Sequence, residues 1–349
     1  MKKILLASVA LSAFAGAAAA EVSFSGDATV GYNDAATVLT YWNADLDVAF
    51  SQELDNGLTA AANVTLSYVN NDQGAAGGVN VDDNWKVSLS SESASIVFGD
   101  TEFAAVSAWA SAGDMANDGF REIAANGTNL KGTVSFGQAT VAVSYDAAAG
   151  ADLGSVDAGV TVDMGSATAV LAYQEGVAGG VDELIGLSVS TTVAGADLTV
   201  AYASNNTAST DSIGVKVGYA FGDVTTSAYY VSESAQDDGF GLTVGYAAGP
   251  VALEAFYADV NSLVETRIQG SYDLGNGLVI TAGSIDGDST TDNDFANSLV
   301  AEYDLGGGAS VMASFADANN AAAVTGGDID TFGGYELMDG TTIELSFSF

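Results

Sequence analysis

The sequence predicts an all-β protein: an exported, transmembrane antiparallel β-barrel of about twenty strands. Three observations predict it. The chain opens with a secretory leader, apolar and polar residues alternate with a period of two from Glu21 to Phe349, and tight glycine turns alternate with long acidic connections.

The leader comes first. Lys2 and Lys3 form a basic head, an apolar run ILLASVALSAFAG follows, and the stretch closes on Ala18-Ala19-Ala20. Basic head, apolar centre and small-residue end are the parts of a signal peptide, so residues 1–20 are expected to be removed before Glu21. The apolar centre is too short to span a bilayer comfortably. Residues 21–349 then form one domain, because the same strand pattern resumes on each side of every interruption.

Composition narrows the function classes. Lys2 and Lys3 take two of the seven basic residues, leaving five against 45 acidic ones. Such a balance excludes a phosphate-binding face and therefore nucleic acid. Disorder is excluded because 48% of the residues are hydrophobic. Histidine and cysteine are both absent, which removes the usual general base, the commonest metal ligand and every Ser-His triad, so no enzyme is expected. An exported chain without disulfides needs another source of stability, and a barrel that closes its hydrogen bonds on itself supplies one.

The strands read directly. VSFSGDATVGY (22–32), LTAAANVTLSY (58–68), WKVSLS (85–90), LKGTVSF (130–136), DSIGVKVGYAF (211–221), GLTVGY (241–246) and TRIQGSYDL (266–274) each carry one apolar and one polar face. Tight turns fall at DNG (55–57), SESA (91–94), GQA (137–139), MGS (164–166), AGA (194–196), FGD (221–223), AAGP (247–250), GNG (275–277) and GGG (306–308). Nine hairpins with a first and a last strand make about twenty strands, or eighteen if one hairpin is a bulged strand. Between the tight turns lie longer acidic connections at 70–83, 146–154, 232–239 and 285–294. Short turns on one side and long loops on the other are a feature of outer-membrane barrels that a soluble sandwich does not need. Tyr32, Tyr68, Tyr145, Tyr173, Tyr202, Tyr219, Tyr246 and Tyr257 near strand ends suit an interfacial girdle.

Two stretches break the rhythm: 100–128, within which FAAVSAWA reads as a short helix, and a looser one at 317–340. The last strand, TTIELSFSF, places Leu345, Phe347 and the terminal Phe349 on one face.

With these residues in hand, a family resemblance emerges. EVSFSGDATVGY after the leader, the long interruption following SIVFGD (95–100), the YDLGGGAS turn (303–310) and the terminal FSF resemble the general outer-membrane porins of alphaproteobacteria, the Rhodobacter type. The resemblance implies a Gram-negative outer-membrane location and a water-filled channel for passive diffusion of small hydrophilic solutes and ions. It implies a homotrimer of sixteen-stranded barrels among outer-membrane lipid and lipopolysaccharide, a third external loop folded inward, and a terminal aromatic (Phe349, with Phe347 and Leu345) read by the barrel-assembly machinery. The expected range is therefore 16–20 strands. Such porins set arginines opposite an acidic third loop, and this chain has almost none. A non-conducting structural barrel is the alternative reading.

Charge placement gives the candidate constriction. By alternation Lys86, Lys131, Lys216 and Arg267 lie on the polar face, where they avoid hydrocarbon. Arg121 lies inside the 100–128 insertion with the acids Glu102, Asp114, Asp118 and Glu122, and Lys86 and Lys131 flank it in sequence. Asp27, Asp45, Asp47, Asp157, Glu254, Glu265, Asp273, Glu302 and Glu344 fall on the same polar face, so cations are the expected solutes. Asp82-Asp83, Asp237-Asp238 and Asp286/Asp288 read as solvated loop acids. Ca²⁺ binding is their alternative, though none matches an EF-hand, and no other cofactor is expected.

Overall fold

A computed structural model describes residues 20–36, 39–70, 78–81, 84–122, 128–147, 156–176, 181–286, 295–318, 329–330 and 335–349. The leader, apart from Ala20, lies outside the described residues, as do Asp82, Asp83 and Asp288.

The strands run up and down in sequence order. β1 (Glu21–Asn33), β2 (Thr40–Glu53) and β3 (Thr59–Asn70) are followed by two short pieces, β4 (Gly78–Val81) and β5 (Lys86–Ser90). Both pieces pair with β3, β4 along Leu66–Val69 and β5 along Thr59–Asn63, so together they make one interrupted barrel strand. β6 (Ala94–Gly99) leads into the inserted third loop and its single helical turn, α1 (Ala104–Ala108). After it come β7 (Asn129–Phe136), β8 (Ala139–Asp146), β9 (Val156–Asp163), β10 (Ala167–Gln174), β11 (Leu184–Val193) and β12 (Ala196–Asn205). β13 (Thr210–Phe221), β14 (Val224–Glu233), β15 (Gly239–Ala248), β16 (Val251–Val260), β17 (Leu263–Gly275), β18 (Leu278–Asp286), β19 (Phe295–Gly306) and β20 (Ala309–Ala318) complete the succession. A small hairpin of β21 (Ile329–Asp330) and β22 (Glu336–Leu337) precedes the final strand, β23 (Gly340–Ser348).

Closure is direct. β23 pairs with β20 on one side and with β1 on the other, Val30 opposite Leu345 and Ala28 opposite Phe347. Counting β4 with β5 as one, twenty antiparallel strands close the barrel. All nine tight turns read from the sequence join neighbouring strands, whereas the sixteen strands implied by the family resemblance are exceeded. The reason is local: each turn is set by its own few residues, eight of the nine including glycine, so every hairpin announces itself independently.

Alternation determines the two faces. Ile213, Val215, Val217, Tyr219 and Phe221 of β13 point outward and stand exposed, as do Leu242, Val244 and Tyr246 of β15. An apolar exterior of this kind is stable against hydrocarbon, not water. Most of the inner face is Ser, Thr, Gly, Ala and charged residues. The first strand starts and the last strand finishes at the tight-turn end, Glu21 opposite Ser51 and Phe349 exchanging backbone hydrogen bonds with Gly26. The opposite rim is uneven, because β16 and β17 meet there in a two-residue turn. Its residues, Asn261 and Ser262, both have left-handed φ (50° and 65°), the twist that matches a two-residue hairpin.

Candidate functional site

The third loop does not project from the barrel but lies on its inner wall. What receives it is a row of small residues in register across six strands. Ala142 of β8 opposes Gly159, Gly159 opposes Ala172, Ala172 opposes Gly186, Gly186 opposes Ala203, and Ala203 opposes Ser212. The absence of side chains is required there. A Cβ on Gly159 would stand 2.3 Å from the carbonyl oxygen of Ala104, and one on Gly186 would stand 2.4 Å from the Trp109 ring. Into this seat pack α1 and its neighbours, with Phe103, Ala104, Ala105 and Ala112 fully buried. Trp109 and Phe120 meet with ring centroids 5.4 Å apart over Ala172 and Leu184. Met115 and Ala112 cover Ala201, Ala203 and Val231.

Polar side chains on the wall satisfy the loop's backbone. Ala104 N–H donates to Ser144 Oγ at 2.7 Å, and Arg121 N–H donates to Gln174 Oε1 at 2.8 Å. Ala116 N–H donates to Glu233 Oε1 at 2.9 Å, while Asn117 Nδ2 donates to Ser212 Oγ at 2.8 Å. Phe103 N–H donates to the Glu122 carbonyl at 2.9 Å and closes the base of the loop. Where the loop's backbone is buried, leaving such a group without a partner would cost about 1–3 kcal/mol.

The residues singled out from sequence separate into three places. Arg121 faces the wall, 3.6 Å from the fully buried Asp157 and 4.0 Å from Asp146, with its guanidinium 4.2 Å above the Phe103 ring. It fastens the loop. Asp118 accepts from the Trp109 indole N–H at 3.1 Å. Burial raises its carboxyl above the ordinary range, the hydrogen bonds from Ser111 and Trp109 oppose that, and the Asp114 charge adds to it. Glu102 and Glu122 are exposed, and Lys131 on β7 lies within electrostatic reach of Glu102 and of Lys86.

The third place holds Asp114, which is not beside Lys86 and Lys131. It stands exposed on the loop and borders a cavity of about 600 Å³ whose lining also includes Lys216, Tyr229, Phe256 and Arg267. Arg267 is ion-paired with Glu265 on its own strand and lies 5.2 Å from the centre of the Phe256 ring. Acid on the loop and base on the wall thus line one cavity.

Sequence reading missed Ser144, Gln174, Ser212, Glu233 and the glycine seat. A signal was present: Leu184 and Val231 are apolar residues at inner-face positions, and each is dry beneath the loop. Of the loop acids, Asp237 accepts from Ser262 Oγ at 2.7 Å, whereas Asp238 accepts from the Tyr230 hydroxyl and the Glu233 N–H. The two carboxylates thus serve different partners. Among the described residues, no three acidic side chains gather as metal ligands.

A closed barrel with an apolar exterior, a polar interior and an inward-docked loop is an outer-membrane pore. The model of the Gram-negative porin family matches residues 7–269, three-quarters of the chain, and the chain belongs to that family. It is an outer-membrane porin, a non-enzymatic channel. Among solved structures it is similar to a five-substitution variant of Rhodopseudomonas blastica porin, at 15% identity and a TM-score of 0.45, covering 95% of this chain and 100% of that one. Two triple mutants of the same porin match over the same shares, at 15% identity with a TM-score of 0.41 and at 16% with 0.43. No curated protein matches the chain.

Proposed function

We propose that this porin is a cation-preferring general diffusion channel for small hydrophilic solutes and ions. The observation that carries the reading is the charge balance of the inner face. Nine carboxylates, those named above from Asp27 to Glu344, share that face with Lys86, Lys131, Lys216 and Arg267, and strand register supports this placement for each. Screening at physiological salt extends about 8 Å, so wall charge still acts on ions well inside the lumen. Acid exceeds base on wall and loop alike, which lowers the free energy of a cation entering and raises that of an anion.

The rest of the assignment follows the resemblance to Rhodobacter-type porins. Residues 1–20 are removed on export, leaving the barrel domain 21–349, Phe349 is presented to the assembly machinery, and three copies associate among lipid and lipopolysaccharide. Reversal potentials in planar bilayers under a KCl gradient test the selectivity. Cation preference that weakens with salt is expected, and the double substitution Asp114→Asn with Asp118→Asn should reduce it. A measured anion preference would overturn the charge reading.

A further inference from the structure

Inner-wall positions of a water-filled barrel are wet unless something lies on them, so a dry apolar residue there marks a docked element. One such patch lies under the third loop. A second lies elsewhere: Val300 of β19 and Ala316 of β20 are each 1% exposed, and register with Thr281 and Ser298 puts both on the inner face. Leu337 of the β21–β22 hairpin covers them, itself 1% exposed, with Met312 and Tyr335 packed alongside. The Tyr335 hydroxyl donates to Glu302 Oε2 at 3.0 Å, and Thr281 hydrogen-bonds the same hydroxyl. The segment continues to Asp339, whose carbonyl accepts from the buried Asn33 Nδ2 at 2.9 Å.

Residues 335–339 are therefore fastened from inside to β18, β19, β20 and β1. Around the closed barrel, β20 lies nine strand steps from β11, the middle of the third loop's seat, in one direction and eleven in the other. The two docked elements thus lie on opposite sides of the barrel.

We infer that residues 335–339 form a second constriction element, and that Tyr335 and Glu302 determine the size and charge of the passage on that side. This rests on the pore reading of the barrel. The chemistry of the wall supports it. Glu302, Met312 and Glu344 are successive partners in one register row, and Tyr41 donates to Glu344 at 2.7 Å as Tyr335 does to Glu302. Two carboxylates are thus held in place by phenols opposite the third loop, presenting fixed negative charge to solutes that pass between.

The experiment uses the full chain in planar bilayers and in liposomes swelling with neutral sugars, so that size and charge are read separately. Tyr335→Ala combined with Leu337→Ala should raise single-channel conductance about 1.3-fold or more and admit larger sugars. Glu302→Gln should leave sugar rates unchanged and lower the cation-to-anion permeability ratio. A double variant that remains heat-modifiable but shows wild-type conductance and sugar cut-off would overturn the inference. Should that variant fail to insert, Tyr335→Phe, which removes one hydroxyl, should still shift the permeability ratio, and an unchanged ratio would also overturn it. A wild-type chain that conducts nothing would instead bring down the pore reading, and this inference with it.

Discussion

Asp118 is a carboxyl of the docked third loop, held by Trp109 of the same loop, and burial makes its charged form costly. Its pKa in the docked loop is raised above the ordinary value of 3.8. The sign follows from linkage: the docked state binds the proton more tightly than the undocked state. Docking is therefore favoured below the ordinary value and loses that contribution as pH rises through the raised one. Asp118→Asn keeps an acceptor for the indole N–H and removes the charge. The variant should have a higher heat-modification midpoint than wild type at pH 7, with the gap closing in acid. A gap that does not change with pH would count against burial as the cause. Arg121, on the same loop, shows the opposite arrangement, since its charge is matched by Asp157 and Asp146 and serves to hold the loop to the wall.

At the scale of elements, the third loop depends on what its seat lacks. Gly186→Leu would drive a side chain into the Trp109 ring. Overpacking of this kind costs about 1–3 kcal/mol, enough to displace the loop. Single-channel conductance should rise and residues 100–128 should become sensitive to protease. Gly132→Leu, on β7 with open space around its Cβ, should change neither. The hairpins were legible in the sequence because turn chemistry is local, and FAAVSAWA gave away α1 by its break from alternation. Leu184 and Val231 hinted at the seat, but its row of small residues was not legible. Gly159, Ala172 and Gly186 read as ordinary small residues on a polar face, and only the register between strands far apart in sequence aligns them into one row. Lys86 and Lys131 flank the loop in sequence, but Asp114 shares its cavity with Lys216 and Arg267, because the loop runs along the inner wall as far as β13 and β14.

At the scale of the whole molecule, the barrel exists only when its last strand meets its first. Phe349 donates its N–H to the Gly26 carbonyl at 2.9 Å and accepts from Gly26 N–H at 3.0 Å, while its ring stands exposed on the outer face. Deleting Phe349 removes this last backbone pair and the exposed terminal aromatic together. Export should continue, but the amount of heat-modifiable barrel in outer-membrane fractions should fall several-fold; normal amounts would contradict the role given to this residue.

The strand number carries a consequence of its own. Barrel diameter grows roughly in proportion to the number of strands, so twenty strands enclose about half again the cross-section of sixteen. Left empty, a bore of that width would be a breach in the envelope's sieve. Here part of the extra bore is given over to docked chain, with the third loop along one side and Leu337 with Tyr335 along the other. Strand count sets the outer frame, whereas a handful of residues on two connections sets the mesh. Selection could coarsen or refine that mesh by editing those residues alone, leaving the lipid-facing surface and the route of assembly untouched.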